Sequence, residues 1–193
     1  PSPRHVSMEN GAALADRARG RADIVALTVD ADDATLDAIA EIVRPTLLQF
    51  HGRETPDAIR TVRDRTGLPV MKAIGIAAAP DLARIDAYRD VADRLLLDAK
   101  PPKDATRPGG NGAAFDWSLL DALDPALRYM LSGGLGPKTV AEAVKRVRPS
   151  AIDVSSGVES APGRKEPALI RAFVEAARRA DEAGAPNRSH ATA

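Results

Sequence analysis

The sequence predicts a parallel α/β fold, and two observations support this class. Six short apolar runs of strand length alternate with segments in which apolar residues recur at helical spacing. The runs start at residues 24, 47, 70, 95, 129 and 151, with intervals of 23, 23, 25, 34 and 22 residues, which suits repeated strand–helix units. Parallel strands covered by helices are buried on both faces, which explains their apolar character. From this pattern alone, the fold is either an open doubly wound sheet or a barrel with two strands missing before Pro1.

The composition narrows the range of functions. Lys plus Arg and Asp plus Glu each number 27, and aromatic residues make up 3%, so the chain lacks the positive field and the stacking side chains of nucleic-acid-binding proteins. No apolar run approaches the roughly 18 residues of a membrane span. With no cysteine there is no disulfide framework or thiolate metal site. We therefore expect a cytoplasmic protein that binds neither nucleic acid nor membrane.

The length and the two ends of the chain bear on its domain organisation. At 193 residues the chain can bury one sizeable core. We expect a single domain over 1–184, N-terminally incomplete, and a small, polar, frayed tail over 185–193. Because the chain opens with proline and not with methionine, we expect a processed chain or the visible part of a longer one.

The first half of the chain contains three helix patterns and three strand runs. Ser7 can cap the first helix, in which Leu14 and several alanines are the apolar positions. Leu36, Ile39 and Val43 form the apolar stripe of the second helix. The expected elements are helices over 8–18, 33–43 and 56–65 and strands over 24–29, 47–50 and 70–76.

The second half continues the alternation with one longer interval. Strands are expected over 95–97, 129–131 and 151–154, separated by helices around residues 82–88, 119–123 and 140–147 and followed by one around 169–177. The surplus residues of the long interval lie in 101–112, a Pro- and Gly-rich stretch shortly after Asp98. A long glycine-rich loop beside a strand-end acid is a candidate active-site lid, and a tolerated surface insertion is the alternative.

Two consecutive strand tips share the features of an anion site. The strand at 129–131 runs into Ser-Gly-Gly, and the strand at 151–154 runs into Ser-Ser-Gly. Small, hydroxyl-bearing and glycine residues at a strand tip present backbone N–H groups, which suit a phosphate. Parallel barrels hold phosphates at two such tips. The predicted phosphate-binding residues are Gly133, Gly134, Ser155, Ser156 and Gly157.

Seven motifs in register carry a family resemblance. They are Pro3-Arg4-His5-Val6-Ser7, Leu48-Gln49-Phe50-His51-Gly52, Leu96-Leu97-Asp98-Ala99-Lys100, Gly109-Gly110-Asn111-Gly112, Phe115-Asp116-Trp117, Leu131-Ser132-Gly133-Gly134-Leu135 and Asp153-Val154-Ser155-Ser156-Gly157-Val158-Glu159. In this order they resemble phosphoribosylanthranilate isomerase, the enzyme of the third step from chorismate to tryptophan. The resemblance covers essentially the whole chain.

The resemblance implies a (β/α)8 TIM barrel of which this chain carries strands three to eight. Members of the family begin with a strand that reads like Lys-Ile-Cys-Gly, and its cysteine is the general base. That strand, the helix after it and the second strand have no counterpart here. The resemblance further implies a phosphorylated sugar as substrate, no cofactor, no metal, and a monomer or homodimer.

The resemblance also implies a reaction and the roles of three residues. In an Amadori rearrangement, N-(5-phosphoribosyl)anthranilate becomes 1-(2-carboxyphenylamino)-1-deoxyribulose 5-phosphate, which needs an acid for the ring oxygen, a base for the C2 proton, and anchors for phosphate and carboxylate. Asp98 matches the general acid, and desolvation at the end of an apolar strand favours its proton-bearing form. Arg4 matches the arginine near the anthranilate carboxylate. Asp153 is expected to contact the substrate amine or the base.

Other polar residues and two other functions complete the sequence predictions. Gln49 and His51 flank a strand end and could line the mouth of the barrel, and for His51 we favour the alternative of a structural hydrogen-bonding residue. No His, Asp or Glu cluster has metal-ligand spacing, and no Rossmann or P-loop fingerprint occurs. One alternative is another phosphate-binding barrel of tryptophan or histidine biosynthesis. The other is a non-catalytic phospho-ligand-binding fragment that lacks the base and, with two exposed sheet edges, aggregates or dimerises.

Overall fold

The computed structural model describes residues 2–100 and 115–184. The predicted lid at 101–112 and the predicted frayed tail at 185–193 lie outside the described residues. Among the described residues, no helix is both long enough and apolar enough to cross a membrane.

Six parallel strands form one sheet in which spatial order equals sequence order. A doubly wound sheet requires a point at which the strand order reverses, and this sheet has none, so that alternative was wrong. The predicted strands are confirmed, two of them with identical bounds. They are β1 (Val25–Thr28), β2 (Leu47–Phe50), β3 (Val70–Ile76), β4 (Arg94–Ala99), β5 (Met130–Leu131) and β6 (Ala151–Ile152).

Helices connect the strands, and their ends follow from local sequence chemistry. The Ser7 side chain accepts a hydrogen bond from the backbone N–H of Asn10, which caps the first helix. Thr55 caps the third helix in the same way, and Gly67 closes it with a φ of 68°. The helices are α1 (Met8–Ala18), α2 (Asp33–Ala38), α3 (Pro56–Thr66), α4 (Arg84–Tyr88), α5 (Val140–Val147) and α6 (Pro167–Gly184).

Shorter helical segments replace parts of the predicted helices. The helix predicted over 33–43 is α2 followed by a π-helical turn over Ile39–Val43, which ends where Arg44 adopts a φ of 50°. The pattern around Leu119 is a 3-10 helix over Trp117–Ala122. Further 3-10 segments span Ala79–Ala83 and Ser156–Val158.

The two faces of the sheet bury apolar side chains in two separate clusters. On the helix-covered face, residues such as Leu48 and Ile74 pack against side chains of α3 and α5. On the opposite, inner face lies a small cluster formed by Leu47, Met71, Ala73 and Leu96. The inner face of the sheet therefore has a small apolar core of its own. The polar side chains of this face can then lie beyond that core, at the carboxyl ends of the strands.

A buried ion pair lies on the helix-covered face. Lys72 in β3 is 0% exposed, and its ammonium donates to the carbonyl oxygen of Gly52 and to Oε2 of Glu54, both at 2.7 Å. The Tyr88 hydroxyl donates to the backbone oxygen of Glu54, and its ring centroid lies 5.5 Å from the Lys72 nitrogen. The Glu54 carboxylate also accepts the backbone N–H groups of Asp30 and Gly52, so this network ties together the loops that follow β1 and β2.

A small antiparallel hairpin, which the sequence did not predict, lies between β6 and α6. Its strands are β7 (Glu159–Ala161) and β8 (Arg164–Lys165). Gly163 in its turn has a φ of 82°, and a Cβ at this position would come within 2.6 Å of the Pro3 carbonyl oxygen. The beginning of the chain therefore packs directly against this hairpin.

Candidate active site

The carboxyl ends of the strands form one rim, and alternate strands contribute polar side chains to it. His51 follows β2, Asp98 lies near the end of β4, and Asp153 follows β6. His51 Nε2 lies 3.2 Å from Oδ2 of Asp98, which is only 8% exposed. In parallel barrels, alternate strands supply the side chains of one interior layer. The three residues have the arrangement of such a layer.

The imidazole of His51 is held from both sides. Its Nδ1 atom lies 3.3 Å from Nε2 of Gln49, and its Nε2 atom faces the Asp98 carboxylate. If the Gln49 amide donates to Nδ1, the neutral ring carries its proton on Nε2 and donates it to Asp98. Sequence reasoning treated His51 as a structural residue and missed this contact. The available signal was its spacing from Gln49, because residues two apart beyond a strand face the same side.

Asp153 has a perturbed titration with an identifiable cause. Burial raises the pKa of the Asp153 carboxyl above its ordinary value, and the negative charge of Asp98 adds to this rise. The Ser132 hydroxyl donates to Oδ2 of Asp153 at 2.8 Å, which opposes the rise, as do the nearby His51 and Lys165 side chains. Two carboxyls close enough to influence each other favour the retention of a proton, which suits acid–base chemistry.

The two predicted phosphate-binding tips lie against each other. A Cβ on Gly157 would overlap the carbonyl oxygen of Leu135, so only glycine allows this close backbone approach. Gly133 and Gly134 have φ values of 92° and 65°, and a Cβ on Gly133 would lie 2.5 Å from the backbone nitrogen of Ala99. Their N–H groups donate no hydrogen bond to another described residue. Free amide donors beside the Ser155–Gly157 turn are what a phosphate needs.

Arg4 is brought to the β6 side of the rim. Its Nε and Nη2 atoms donate to the two carboxylate oxygens of Glu159 at 2.8 and 2.7 Å. The Lys165 ammonium lies 2.9 Å from the same carboxylate. It also donates a hydrogen bond to the Ser155 carbonyl oxygen at 2.7 Å. Sequence reasoning named Arg4 but assigned no role to Glu159 or Lys165.

The chemistry available at this rim is proton transfer on a phosphorylated molecule. Asp98, Asp153 and His51 can hold and move protons, while the paired tips offer amide donors to an anion. Within residues 2–100 and 115–184, no three His, Cys, Asp or Glu side chains come together in a way that could hold a metal ion.

Comparison with known proteins finds a matching family model and several relatives named as isomerases. A family model described as N-(5'phosphoribosyl)anthranilate (PRA) isomerase matches residues 1–176. A protein of Rhodopseudomonas palustris (strain BisA53) named N-(5'-phosphoribosyl)anthranilate isomerase is 58% identical over 177 residues, which make up 92% of this chain and 81% of that protein. The crystal structure of phosphoribosyl anthranilate isomerase from Thermotoga maritima matches with a TM-score of 0.81 at 34% identity, covering 92% of this chain and 83% of the other. A structure of such an isomerase in complex with reduced 1-(o-carboxyphenylamino)-1-deoxyribulose 5-phosphate matches with a TM-score of 0.76 at 31% identity, covering 92% and 82%.

Proposed function

The chain belongs to the N-(5'-phosphoribosyl)anthranilate isomerase family, and we propose that the rim of His51, Asp98 and Asp153 is where its reaction takes place. The chain is accordingly an isomerase of tryptophan biosynthesis. It converts N-(5-phosphoribosyl)anthranilate to 1-(2-carboxyphenylamino)-1-deoxyribulose 5-phosphate. The reaction opens the ribose ring, removes a proton from C2 and adds one at C1, so the net change is an isomerisation.

Asp98 is the general acid of this proposal. It protonates the ribose ring oxygen, which allows the C1–O bond to break and leaves an imine between C1 and the anthranilate nitrogen. Its support is the position of a nearly buried carboxyl on the rim, in contact with the His51 imidazole. The imidazole orients the carboxyl and, as a donor, stabilises the carboxylate that remains after proton transfer.

The paired tips hold the 5'-phosphate in this proposal. Gly133 and Gly134 supply free N–H groups, and the turn of Ser155, Ser156 and Gly157 supplies amides and hydroxyls. Donors to a charged acceptor stabilise it by about 1.5–3 kcal/mol each, so a few of them anchor the sugar firmly.

Arg4 and Asp153 complete the substrate contacts. The guanidinium of Arg4 binds the anthranilate carboxylate, for which its planar fork of donors is suited. Two of its nitrogens contact Glu159, and Nη1 makes no hydrogen bond to another described residue. Asp153, whose burial favours the protonated form, contacts the substrate amine or the base.

The six strands correspond, in this proposal, to strands three to eight of a (β/α)8 barrel. The unreversed strand order supports this, as does the exposure of Val25 and Leu27 on β1, at 42% and 56%. The family's base-bearing cysteine is not among the 193 residues, which contain no cysteine. The coding sequence upstream of Pro1, together with the intact mass of the purified protein, tests this assignment. A strand like Lys-Ile-Cys-Gly encoded there supports it, and a start codon immediately before Pro1 contradicts it.

The alternative of a non-catalytic phospho-ligand-binding fragment is not favoured. The relative at 58% identity carries the enzyme's name and aligns with 92% of this chain. The observation that carries the proposed function is that a carboxyl–imidazole contact and paired glycine tips lie on the same rim.

A co-crystal structure with reduced 1-(o-carboxyphenylamino)-1-deoxyribulose 5-phosphate tests the proposed function. The phosphate is expected against the N–H groups of Gly134 and Ser156, with the Asp98 carboxyl directed at the sugar. A phosphate bound elsewhere, or an Asp98 carboxyl that points away from the ligand, would overturn the proposal.

A further inference from the structure

One carboxylate holds two cations at the edge of the site. Glu159 accepts both hydrogen bonds of the Arg4 fork, and Lys165 approaches its Oε1 atom to 2.9 Å. The Glu159 side chain is only 4% exposed, whereas the side chains of Arg4 and Lys165 are 21% and 43% exposed. The Glu159 carboxylate is therefore buried, whereas the Arg4 and Lys165 side chains remain partly exposed to solvent.

The charge of this cluster makes it attractive to an anion. Two cations and one carboxylate carry a net charge of +1. Without Lys165, the Arg4–Glu159 pair would be neutral and its attraction for a substrate carboxylate would be weaker. Lys165 thus compensates the carboxylate that holds the arginine.

The Glu159 carboxyl stays ionised at any physiological pH. The hydrogen bonds from Arg4 lower the pKa of Glu159 to about 2 against the opposing effect of burial, with Lys165 and the Gly163 backbone N–H adding to the decrease. The fork is therefore a permanent contact between charged groups, and such bidentate pairs fix the plane of the guanidinium.

The cluster is also connected to the predicted phosphate tip. Lys165 donates to the carbonyl oxygen of Ser155 at 2.7 Å, so one side chain links Glu159 to that turn. Among the described residues, the Arg4 side chain forms hydrogen bonds only to Glu159, and the Arg4 backbone N–H donates to the Ser2 hydroxyl.

We propose that Glu159 is a positioning residue that holds the Arg4 guanidinium in the orientation required to bind the anthranilate carboxylate. This inference rests on the proposed contact between Arg4 and that carboxylate. Glu159 does not touch the substrate, since its two oxygens are engaged by cations of the chain. It acts through Arg4 and determines how well the carboxylate end of the substrate is recognised.

The test compares two ligands that differ only in the carboxylate. One is reduced 1-(o-carboxyphenylamino)-1-deoxyribulose 5-phosphate, and the other is the same compound without its carboxyl group. Isothermal titration calorimetry measures both Kd values for the wild type, Glu159→Gln, Arg4→Met and the double variant. Glu166→Gln serves as the control, because among the described residues the Glu166 carboxylate accepts a hydrogen bond only from the Ala168 backbone N–H.

Glu159→Gln and Arg4→Met are each expected to raise the Kd of the carboxylate-bearing ligand by about 10- to 100-fold, and that of the other ligand by less than about threefold. In the Arg4→Met background, Glu159→Gln is expected to add less than about twofold. Glu159→Asp keeps the charge but withdraws it by one methylene, so it should show the same ligand preference to a lesser degree. This variant carries the test if the glutamine variant does not fold.

Three results would overturn the inference. Equal weakening of both ligands by Glu159→Gln, or by Glu159→Asp where it stands in, would show a purely structural role. A normal Kd for Glu159→Gln beside a weakened Arg4→Met would remove the positioning role and leave the proposed contact of Arg4 intact. A normal Kd for Arg4→Met would remove both that contact and the inference.

Discussion

The Nε2 atom of His51 lies 3.2 Å from Oδ2 of Asp98, although β3 separates the strands that carry these two residues. Such a contact requires a strongly curved sheet, whose concave face brings alternate strands together. The curvature therefore has a second effect besides enclosing the inner apolar cluster of Leu47, Met71, Ala73 and Leu96. It places an imidazole against the carboxyl that we propose as the general acid.

Removing the proton of Asp98 should abolish most of the turnover. Asp98→Asn keeps the shape of the side chain but cannot donate a carboxyl proton, so we expect kcat to fall by roughly 10²–10⁴-fold while the protein stays folded. Steady-state kinetics and thermal unfolding measure the two effects, with the exposed Asp90→Asn as control. Near-normal turnover of Asp98→Asn would exclude Asp98 from the mechanism.

Truncation of His51 should have a smaller effect than the change at Asp98. The imidazole orients the acid but does not itself supply the proton in our proposal, so His51→Ala is expected to lower kcat by about tenfold. His51→Gln retains an N–H donor near Asp98 and should recover part of the loss. A loss in His51→Ala as large as that of Asp98→Asn would make the imidazole the acid.

The contact between the two strand tips should tolerate no side chain at Gly157. Gly157→Ala places a methyl group on the Leu135 carbonyl oxygen and separates the tips, with an expected loss of about 1–3 kcal/mol of stability and weaker binding of inorganic phosphate. Gly136→Ala is the matched control, because its Cβ would lie at an ordinary 3.5 Å from the Gly157 carbonyl oxygen. Thermal unfolding and phosphate titrations compare the two, and similar behaviour would contradict the steric argument.

The raised pKa of Asp153 predicts that the ionisation of this carboxyl lowers the stability of the fold as the pH rises. A carboxyl whose pKa is higher in the folded than in the unfolded state stabilises the fold below its ordinary pKa, and this stabilisation is lost as the pH rises through the raised value. Asp153→Asn removes the ionisation, so its Tm relative to the wild type should be higher at pH 8 than at pH 4.

Asp121→Asn provides a control with the opposite sign for this pH experiment. The hydrogen bond from Arg146 lowers the pKa of Asp121, so its stabilising effect is present above its ordinary pKa and disappears in acid. Its asparagine variant should therefore lose stability at pH 8 and less at pH 4. Parallel pH trends for the two variants would refute the role of burial at Asp153.

The buried Lys72–Glu54 pair should be far more important for stability than an exposed pair. Lys72→Met leaves the Glu54 carboxylate without its cation in a nearly closed site, and we expect a loss of about 3–5 kcal/mol. Arg60→Ala breaks the exposed pair with Asp57 and should cost less than about 1 kcal/mol. Urea unfolding measures both, and equal losses would show that burial does not decide the difference.

Patterns local in sequence were sufficient for most of the fold. The run at 70–76, apolar except for Lys72, indicated a strand buried on both faces, and Ser7 followed by an alanine-rich stretch indicated the start of α1. The glycine and serine tips were recognisable for the same reason, because a close backbone approach restricts the residue type. The roles assigned to Asp98, Arg4 and Asp153 stay predictions.

What sequence reasoning missed depends on contacts between distant residues. The sequence around His51 does not indicate that Asp98 is its partner. Likewise, a lysine within a strand does not predict that a carboxylate in the preceding loop will pair with it. The hairpin of β7 and β8 is short and polar, and part of its support is the packing of Pro3 against Gly163. Such pairings become visible only after the chain has folded.

The fork between Arg4 and Glu159 joins residues 155 positions apart, which has a consequence during translation. At the usual synthesis rate of about 5–20 residues per second, the carboxylate leaves the ribosome on the order of 10–30 s after the arginine. The proposed acid and its imidazole therefore leave the ribosome well before the carboxylate that holds the arginine. The proposed recognition of the anthranilate carboxylate therefore depends on a contact that can form only late in synthesis.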